Sequence, residues 1–286
     1  MTETQKTKRD RETGLRNHAP RPRKPARFDL PFWALLSSVM GLYAAILVAL
    51  LASLAFYTGP SDLLEAMSSR EIRFAAALSL TTSSITAVLS VLVAVPSGYL
   101  LSRIRLPGAT LIESLLDIPI VLPPMVMGLC LLIFFQTVVG RMIDDVVPFT
   151  FTAAGVILAQ FMIGAAFAIR TMRGTFDHLS PRAEEVALTL GCDRWQSFWY
   201  VALPRARRGI LAAGTVAWAH SLGEFGPILV FAGAMRLRTE VLPTTIWLEL
   251  SAGNLEGAVA VSLLLVVTAT LILTLVRVLG LEITSA

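Results

Sequence analysis

Six long apolar stretches, separated by polar segments, set the pattern of this chain. They cover residues 30–57, 74–101, 112–139, 151–169, 209–231 and 258–278. Each is about 20 residues or longer, which is the length that an α-helix needs to cross a bilayer. The composition agrees, because 55% of the residues are hydrophobic and only 15% are charged. The pattern predicts an all-α membrane protein with six transmembrane helices.

Basic residues predict how these spans are oriented. Arginines and lysines concentrate in residues 1–28, at Arg103 and Arg105, and between the fourth and fifth spans. Because loops rich in Lys and Arg face the cytoplasm, both termini are predicted to be cytoplasmic. Residues 1–28, in which prolines interrupt the basic residues, are predicted to be a disordered tail before the first transmembrane helix at 29–57. We favour contact with anionic lipid over nucleic-acid binding for this tail, since it precedes a span.

The polar segment between the fourth and fifth spans has the pattern of two short helices joined by a turn. Ser180 and Pro181 are typical of a helix start, and Gly191 is typical of its end. Asp193 can cap a second helix, which Pro204 is expected to stop. Each helix repeats apolar residues at helical spacing and therefore has one face to bury. The pattern alone also fits an interfacial hairpin that lies on lipid headgroups.

The residues of this segment resemble a known motif. Glu185-Val186-Ala187, then Gly191, then Val201-Ala202-Leu203-Pro204 follow the EAA loop of ABC importer permeases, which runs E-A-A, three residues, G, nine residues, I-x-L-P. Val186 and Val201 depart conservatively from that pattern. The resemblance implies that residues 173–207 form a cytoplasmic coupling loop that docks on a separate ATPase subunit. The coupling residues that it implies are Glu184, Glu185, Ala187, Leu188, Gly191, Leu203 and Pro204.

Further stretches resemble the molybdate, tungstate and sulfate permeases of the same superfamily. They are IPIVLPP at 118–124, GEFG at 223–226, FAG at 231–233 and LPTTIW at 242–247. The resemblance implies a type I ABC importer permease fold over residues 74–279, in the inner membrane of a bacterial or archaeal cell. It also implies an oxyanion substrate, a homodimer, an ATPase partner that holds ATP and Mg, and an extracytoplasmic solute-binding protein. Pro227 and Ala234 depart from the family pattern and leave the particular anion open.

Three prolines in the third span are predicted to line the translocation pathway or gate. Pro119, Pro123 and Pro124 each remove a backbone donor, so this helix should be kinked or broken in its first half. A broken helix within a membrane needs protein or a water-lined cavity to cover it. The third span is therefore predicted to face the pathway.

Glu224 is the second pathway candidate, because an acid inside a predicted span is costly unless it is paired or hydrated. Its neighbours Gly223 and Gly226 suit a hinged gate. An ion pair or a helix-end contact that holds a bend before Pro227 explains the same residues, and both interpretations stay open. The hydroxyl cluster at 81–86 is interpreted as bonding to backbone or to a neighbouring helix.

Other function classes lack the residues that they need. Every lysine lies in the first 24 residues, outside any glycine-rich loop, so no P-loop is present and ATP hydrolysis is assigned to another chain. Scattered histidines predict neither a metal site nor a cofactor. A polyamine or phosphate permease shares the coupling loop and remains an alternative. An ion-gradient-driven secondary transporter or a membrane enzyme is disfavoured, because neither inverted repeats nor a polar constellation within the spans is evident.

Overall fold

The computed structural model describes residues 30–57, 59, 66–104 and 107–285. The predicted tail at 1–28 lies outside the described residues. The chain divides into two compact units, Met1–Ala55 and Phe56–Ala286. Helix α1, Leu30–Tyr57, supplies the described part of the first unit and is apolar along its whole length.

The second unit is built from helices and short helical turns. They are α2 Arg70–Arg103, α3 Ala109–Val121, α4 Pro124–Gln136, α5 Val138–Val146, α6 Ala153–His178, α7 Arg182–Thr189, α8 Arg194–Ser197, α9 Leu203–Arg205, α10 Arg207–Leu222, α11 Leu242–Ser251 and α12 Leu255–Ser285, with π-helical turns at Phe198–Ala202 and Ile228–Ala232. No β-strand occurs within the described ranges. The all-α prediction is confirmed.

Within the part of the chain that the structure describes, four helices are long and apolar enough to cross a membrane, namely α1, α2, α6 and α12. A fifth crossing arises if the pair α3 and α4, which is bent by 109°, counts as one broken span. The bend lies at Leu122 and Pro123, whose ψ angles of 141° and 132° are extended. Pro124 then starts α4, where its missing N–H costs nothing. The predicted break of the third span is present, whereas Pro119 is accommodated inside α3.

The fifth predicted span, 209–231, is not one helix. Helix α10 has 16 residues, or about 24 Å, and is shorter than the apolar core of a bilayer. It closes where the N–H of Gly223 donates to the carbonyl oxygen of Ala219 at 3.3 Å. Residues 223–225 are not helical; the helix resumes at Gly226, where Pro227 in the first turn needs no N–H, and it continues as the π-helical turn Ile228–Ala232. Hydropathy alone did not reveal this interruption, because the residues around it are apolar.

The core of the second unit lies where α2, α6 and α10 meet. Gly98 allows α2 to approach α6 closely, since a Cβ there would lie 2.8 Å from the backbone nitrogen of Arg173. Met172 and Phe176 of α6 are fully buried in the same cluster. Trp218 of α10 packs in it as well. Small residues at the crossing therefore set the spacing of the three helices.

The hydroxyl cluster of α2 bonds as the sequence predicts. Thr81, Thr82 and Ser83 donate to carbonyl oxygens one turn earlier in the same helix, at 2.6–2.8 Å. Thr86 instead donates to the side-chain oxygen of Gln160 on α6 at 3.2 Å. The Gln160 amide in turn donates to the Ser221 carbonyl on α10 at 2.9 Å. The hydroxyls thus satisfy backbone and link neighbouring helices.

The expected stop at Pro204 is wrong. The chain from Arg194 to Leu222 stays helical except at Ala206, and passes Pro204 by way of the π-helical turn before it. In that turn the N–H of Leu203 donates to the oxygen of Phe198, five residues back. The wider turn changes the hydrogen-bond register just before the proline, so the residue without an N–H no longer breaks the helix.

Candidate functional site

The turn between α7 and α8 has the conformation that its sequence predicts. Gly191 adopts φ +95°, and the N–H of Cys192 donates to the Ala187 oxygen at 3.1 Å. No atom lies within 4 Å of the position that a Cβ on Gly191 would occupy, so the need for glycine is conformational rather than steric. Asp193 and Gln196 form a reciprocal capping box, with hydrogen bonds of 2.6 and 3.0 Å. Glycine and the capping box together fix the chain reversal.

Large apolar side chains are exposed along this otherwise polar segment. We call them the coupling patch: Val186 at 56% exposure, Leu190 at 80%, Trp195 at 68%, Trp199 at 46% and Tyr200 at 78%. Rings of Trp195 and Trp199 pack edge to face, with centroids 5.7 Å apart. An exposed apolar patch on a polar loop is typical of a surface that binds a protein or a membrane.

The predicted coupling residues divide between this surface and the interior. Glu185 and Leu188 are exposed on α7, and Pro204 is exposed at α9. Ala187 is buried against the protein and Glu184 is only 7% exposed. Glu184 therefore does not belong to the outward surface.

Glu184 instead contacts the C-terminal end of α2. Its Oε1 accepts hydrogen bonds from Nε and Nη2 of Arg103 at 3.1 and 2.9 Å. Its Oε2 accepts a hydrogen bond from the Tyr99 hydroxyl at 2.7 Å. Sequence reasoning missed both partners, since Arg103 was considered only as a marker of membrane orientation.

The predicted gate residues come together around one cavity of about 530 Å³. Its walls are Pro123, Pro124 and Met125 from α4 and its start, Ala219 and His220 from α10, and the loop residues Gly223, Glu224, Phe225 and Gly226. Five of the six predicted residues line it, and Pro119 does not. The third and fifth predicted spans thus meet at their two breaks.

Glycine permits the close contact between these breaks. A Cβ on Gly226 would lie 3.0 Å from the backbone nitrogen of Met125. A Cβ on Gly128 would lie 2.8 Å from Cα of Pro227. Backbone packs directly on backbone, so a change at either break displaces the other.

Glu224 is 8% exposed and lines the cavity. Among the residues that the structure describes, no side-chain nitrogen of Arg, Lys or His forms a salt bridge with its carboxylate. His220, one turn earlier, stacks on Phe167 with ring centroids 3.7 Å apart. The carboxylate is therefore directed at the cavity rather than neutralised by a neighbouring cation.

A second ionic cluster joins α2 to α11. Arg236 donates to Glu71 at the start of α2 and to Glu249 of α11, the latter at 2.8 Å. The hydrogen bond to Glu249 raises the pKa of Arg236 above its ordinary value. Asn254 donates to the other oxygen of Glu249 at 2.8 Å. The cluster joins the loop that contains Arg236 to α11 and to the N-terminal end of α2, which is the opposite end of α2 from Arg103.

Comparison with known proteins identifies the family. A family profile described as binding-protein-dependent transport system inner membrane component matches residues 94–283. The chain belongs to this family. The match includes both the coupling loop and the residues around the cavity. Together with the apolar helices, it makes the chain a multi-pass membrane protein.

Relatives named for molybdenum transport span most of the chain. The molybdenum transport system permease protein ModB of Mycobacterium bovis is 33% identical over 248 residues, which are 85% of this chain and 92% of that protein. A probable molybdenum ABC transporter permease protein of Haloferax volcanii is 34% identical over 247 residues, covering 86% and 88%. The sulfate transport system permease protein CysT of Escherichia coli is 33% identical over 179 residues, covering 62% and 65%.

A solved structure shares the fold. It is a bacterial alginate ABC transporter in complex with an alginate pentasaccharide-bound periplasmic protein. The TM-score is 0.72 at 18% sequence identity, over 90% of this chain and 96% of that one. The predicted type I importer permease fold is thereby confirmed.

Proposed function

We propose that this chain is the permease subunit of an ATP-driven importer for an oxyanion, namely molybdate, tungstate or sulfate. The observation that carries the proposal is the coupling patch, held on a fixed helical reversal in the segment that resembles the EAA loop. Relatives that cover 85% and 86% of the chain are named for molybdenum transport, which supports the choice of anion.

The proposed assembly contains two copies of this chain, two ATPase subunits and an extracytoplasmic solute-binding protein. The coupling patch gives the ATPase an apolar surface, and Glu185 beside it is exposed for an ion pair. ATP and Mg belong to the ATPase. The permease contributes the pathway and takes no part in hydrolysis.

The proposed topology has six crossings with both termini in the cytoplasm of a bacterial or archaeal cell. In it, α10 crosses only in part, and the π-helical turn at Ile228–Ala232 completes the crossing. Since α10 rises about 24 Å from the cytoplasmic side, the cavity at its end lies beyond the bilayer centre. In the proposed dimer, the residues that line this cavity in each of the two copies would close the pathway between them.

The cavity supports a gate that passes an anion without retaining it. Helix α4 begins in its wall, and helix N-termini favour anions. Glu224 opposes them, because a carboxylate repels an oxyanion. We therefore assign Glu224 to the gate rather than to substrate binding. Weak attraction of the anion by the start of α4, with repulsion by Glu224 nearby, would let the anion pass without being retained. This suits alternating access, in which ATP binding closes the ATPase pair and hydrolysis resets the inward-facing state.

A cationic substrate is the second candidate, and Glu224 is the observation that favours it. A carboxylate in the pathway would attract a polyamine. The related ABC permeases for polyamines share the coupling loop, so only the cavity distinguishes the two functions.

Reconstituted uptake tests both candidates. The chain is incorporated into proteoliposomes with its cognate ATPase and binding protein, and radiolabelled molybdate is supplied outside with ATP inside. We expect ATP-dependent uptake that tungstate or sulfate reduces and spermidine does not. ATP-dependent uptake of radiolabelled spermidine, with none of molybdate, would establish the cationic candidate. Uptake that continues without ATP would contradict an ATP-driven mechanism.

A further inference from the structure

Arg103, the last residue of α2, bonds side chains and backbone of several neighbouring elements. Besides its two hydrogen bonds to Glu184, it donates from Nη1 to the carbonyl of Phe176 and from Nη2 to that of Leu179, both at 2.9 Å. A further bond reaches the hydroxyl of Ser102 at 3.2 Å. Phe176 lies in the last turn of α6 and its carbonyl also accepts the Leu179 N–H at 3.1 Å, while Leu179 directly follows the helix. One guanidinium therefore holds α2, α6 and α7 together.

The ion pair at the centre of this arrangement is largely removed from water. The side chains of Arg103 and Glu184 are 14% and 9% exposed. A buried ion pair is stable only when its remaining donors and acceptors are satisfied. Here the Tyr99 hydroxyl takes the second carboxylate oxygen, and its ring packs edge-on against Phe176 and Phe198 at 5.3 and 4.8 Å. Both carboxylate oxygens of Glu184 therefore accept hydrogen bonds, and aromatic rings pack around the Tyr99 side of the contact.

No short stretch of backbone links α7 to α2. Arg103 and Glu184 are 81 residues apart along the chain. The coupling helix α7 is joined to α6 through Leu179–Pro181 and to α8 through Gly191 and Cys192, which are short non-helical connections. Without Arg103, the Tyr99 hydroxyl still bonds Glu184, but α7 would be less restrained from turning about these connections while α2 stays in place.

We propose that Arg103 is a positioning residue that passes the displacement of the coupling helix to α2 and α6. Arg103 makes α7 and the ends of those two helices move as one body when the ATPase moves α7. The close crossing of α2 and α6 at Gly98 then carries the motion into the membrane. This inference rests on the proposed function, because it assigns a route to the coupling that function requires.

The first test compares uptake with ATP hydrolysis in the reconstituted assembly, with molybdate as the probe. For Arg103→Ala we expect uptake to fall at least tenfold while ATP hydrolysis stays within about threefold of the unaltered protein. Arg103→Lys keeps the charge but has a single amine nitrogen in place of the forked guanidinium. Its uptake rate is expected to lie between those of Arg103→Ala and the unaltered protein. Arg170→Ala, which removes an exposed arginine from α6, is the matched control and should leave both rates unchanged.

A merely structural role would lower uptake and hydrolysis together, and that result would overturn the proposal. Unchanged uptake in Arg103→Ala would overturn it as well. If Arg103→Ala fails to assemble, Tyr99→Phe is measured in its place. This variant removes one hydroxyl from the same contact and keeps the aromatic packing. Tyr99→Phe is expected to lower the ratio of uptake to hydrolysis at least twofold, and an unchanged ratio would refute the inference.

The second test examines the contact without transport. Nitroxide labels are placed at Thr189 of α7 and Thr81 of α2, both exposed, with Cys130 and Cys192 replaced by serine. We expect one narrow distance distribution in the unaltered background and a clearly broader one with Arg103→Ala. Distance distributions of equal width in the two backgrounds would overturn the proposed role of Arg103 even if transport occurs. Absence of ATP-dependent uptake in the unaltered assembly would instead refute the proposed function.

Discussion

Gly191 provides the sharpest test of the coupling loop, because its environment separates backbone strain from steric collision. The residue has φ +95°, yet a Cβ there would meet no atom within 4 Å. A substitution therefore costs only the strain of a left-handed conformation, roughly 1–2 kcal/mol for an L-residue. That corresponds to about a 5- to 30-fold loss in the population of the intact turn. A β-branched residue is stiffer and should cost more.

The expected series follows from this strain. Gly191→Val should abolish uptake while the protein still inserts in the membrane. Gly191→Ala should weaken binding of the ATPase by about tenfold, since each 1.4 kcal/mol is a factor of ten. Gly191→Asn should be the mildest substitution, because asparagine tolerates the left-handed region. Uptake of molybdate in proteoliposomes and titration of the ATPase onto the immobilised permease measure the two effects.

Gly174 is the matched control for this series. It also has open space where a Cβ would be placed, but it lies inside α6 with an ordinary helical backbone. Gly174→Ala should therefore be neutral or stabilise the helix by about 0.5–1 kcal/mol. Normal uptake by Gly191→Val would refute the role of the turn. Equal losses in Gly174→Ala and Gly191→Ala would refute the strain argument.

Three further changes test other parts of the molecule. Replacing Pro123 and Pro124 with alanine removes an obstacle of about 3 kcal/mol to a continuous helix, so the 109° bend should straighten and uptake should fall; an unchanged uptake rate would contradict this. Glu224→Gln removes a like charge, worth about 1 kcal/mol at 4 Å under the screening of bulk water, so molybdate uptake should be retained or rise about fivefold, and its loss would refute the gate assignment. Partial desolvation raises the pKa of Asp144, but backbone N–H donors of Thr150 and Phe149 outweigh it, and the folded pKa lies below 3.8. Asp144→Ala should therefore lower the unfolding midpoint at neutral pH, and the difference should vanish as the pH falls through the folded pKa; a constant difference would contradict it.

Local chemistry accounts for the parts of the structure that the sequence predicts. Proline at the start of α4, glycine at the α7 turn and the Asp193 cap each impose their conformation within a few residues. Hydropathy predicts the long apolar helices, because it measures composition over a window as long as a span. It does not detect the break at 223–225, because a window as long as a span averages Glu224 with the apolar residues on either side.

The contact between Arg103 and Glu184 was outside the reach of sequence reasoning for a different reason. The partners lie on separate elements, and no period or motif relates two residues 81 positions apart. Charge counting assigned Arg103 to the cytoplasmic side and gave it no partner. The EAA resemblance placed Glu184 with the docking residues, although its carboxylate is buried. Only the packing of α7 against α2 distinguishes Glu184 from the exposed Glu185 beside it.

Two routes leave the coupling loop, and their separation makes a last prediction. From Arg194 the chain is helical with one brief interruption at Ala206 as far as Leu222, so a displacement of α8 reaches the cavity through the covalently continuous α10. The route to α2 and α6 depends on Arg103. In the proposed cycle, Arg103→Ala should therefore preserve nucleotide-dependent movement at the cavity while uptake is lost. A cysteine introduced at Met125, in a background without Cys130 and Cys192, reports this movement through its rate of thiol labelling with and without ATP. A labelling rate that no longer responds to ATP in Arg103→Ala would show that the two routes are one.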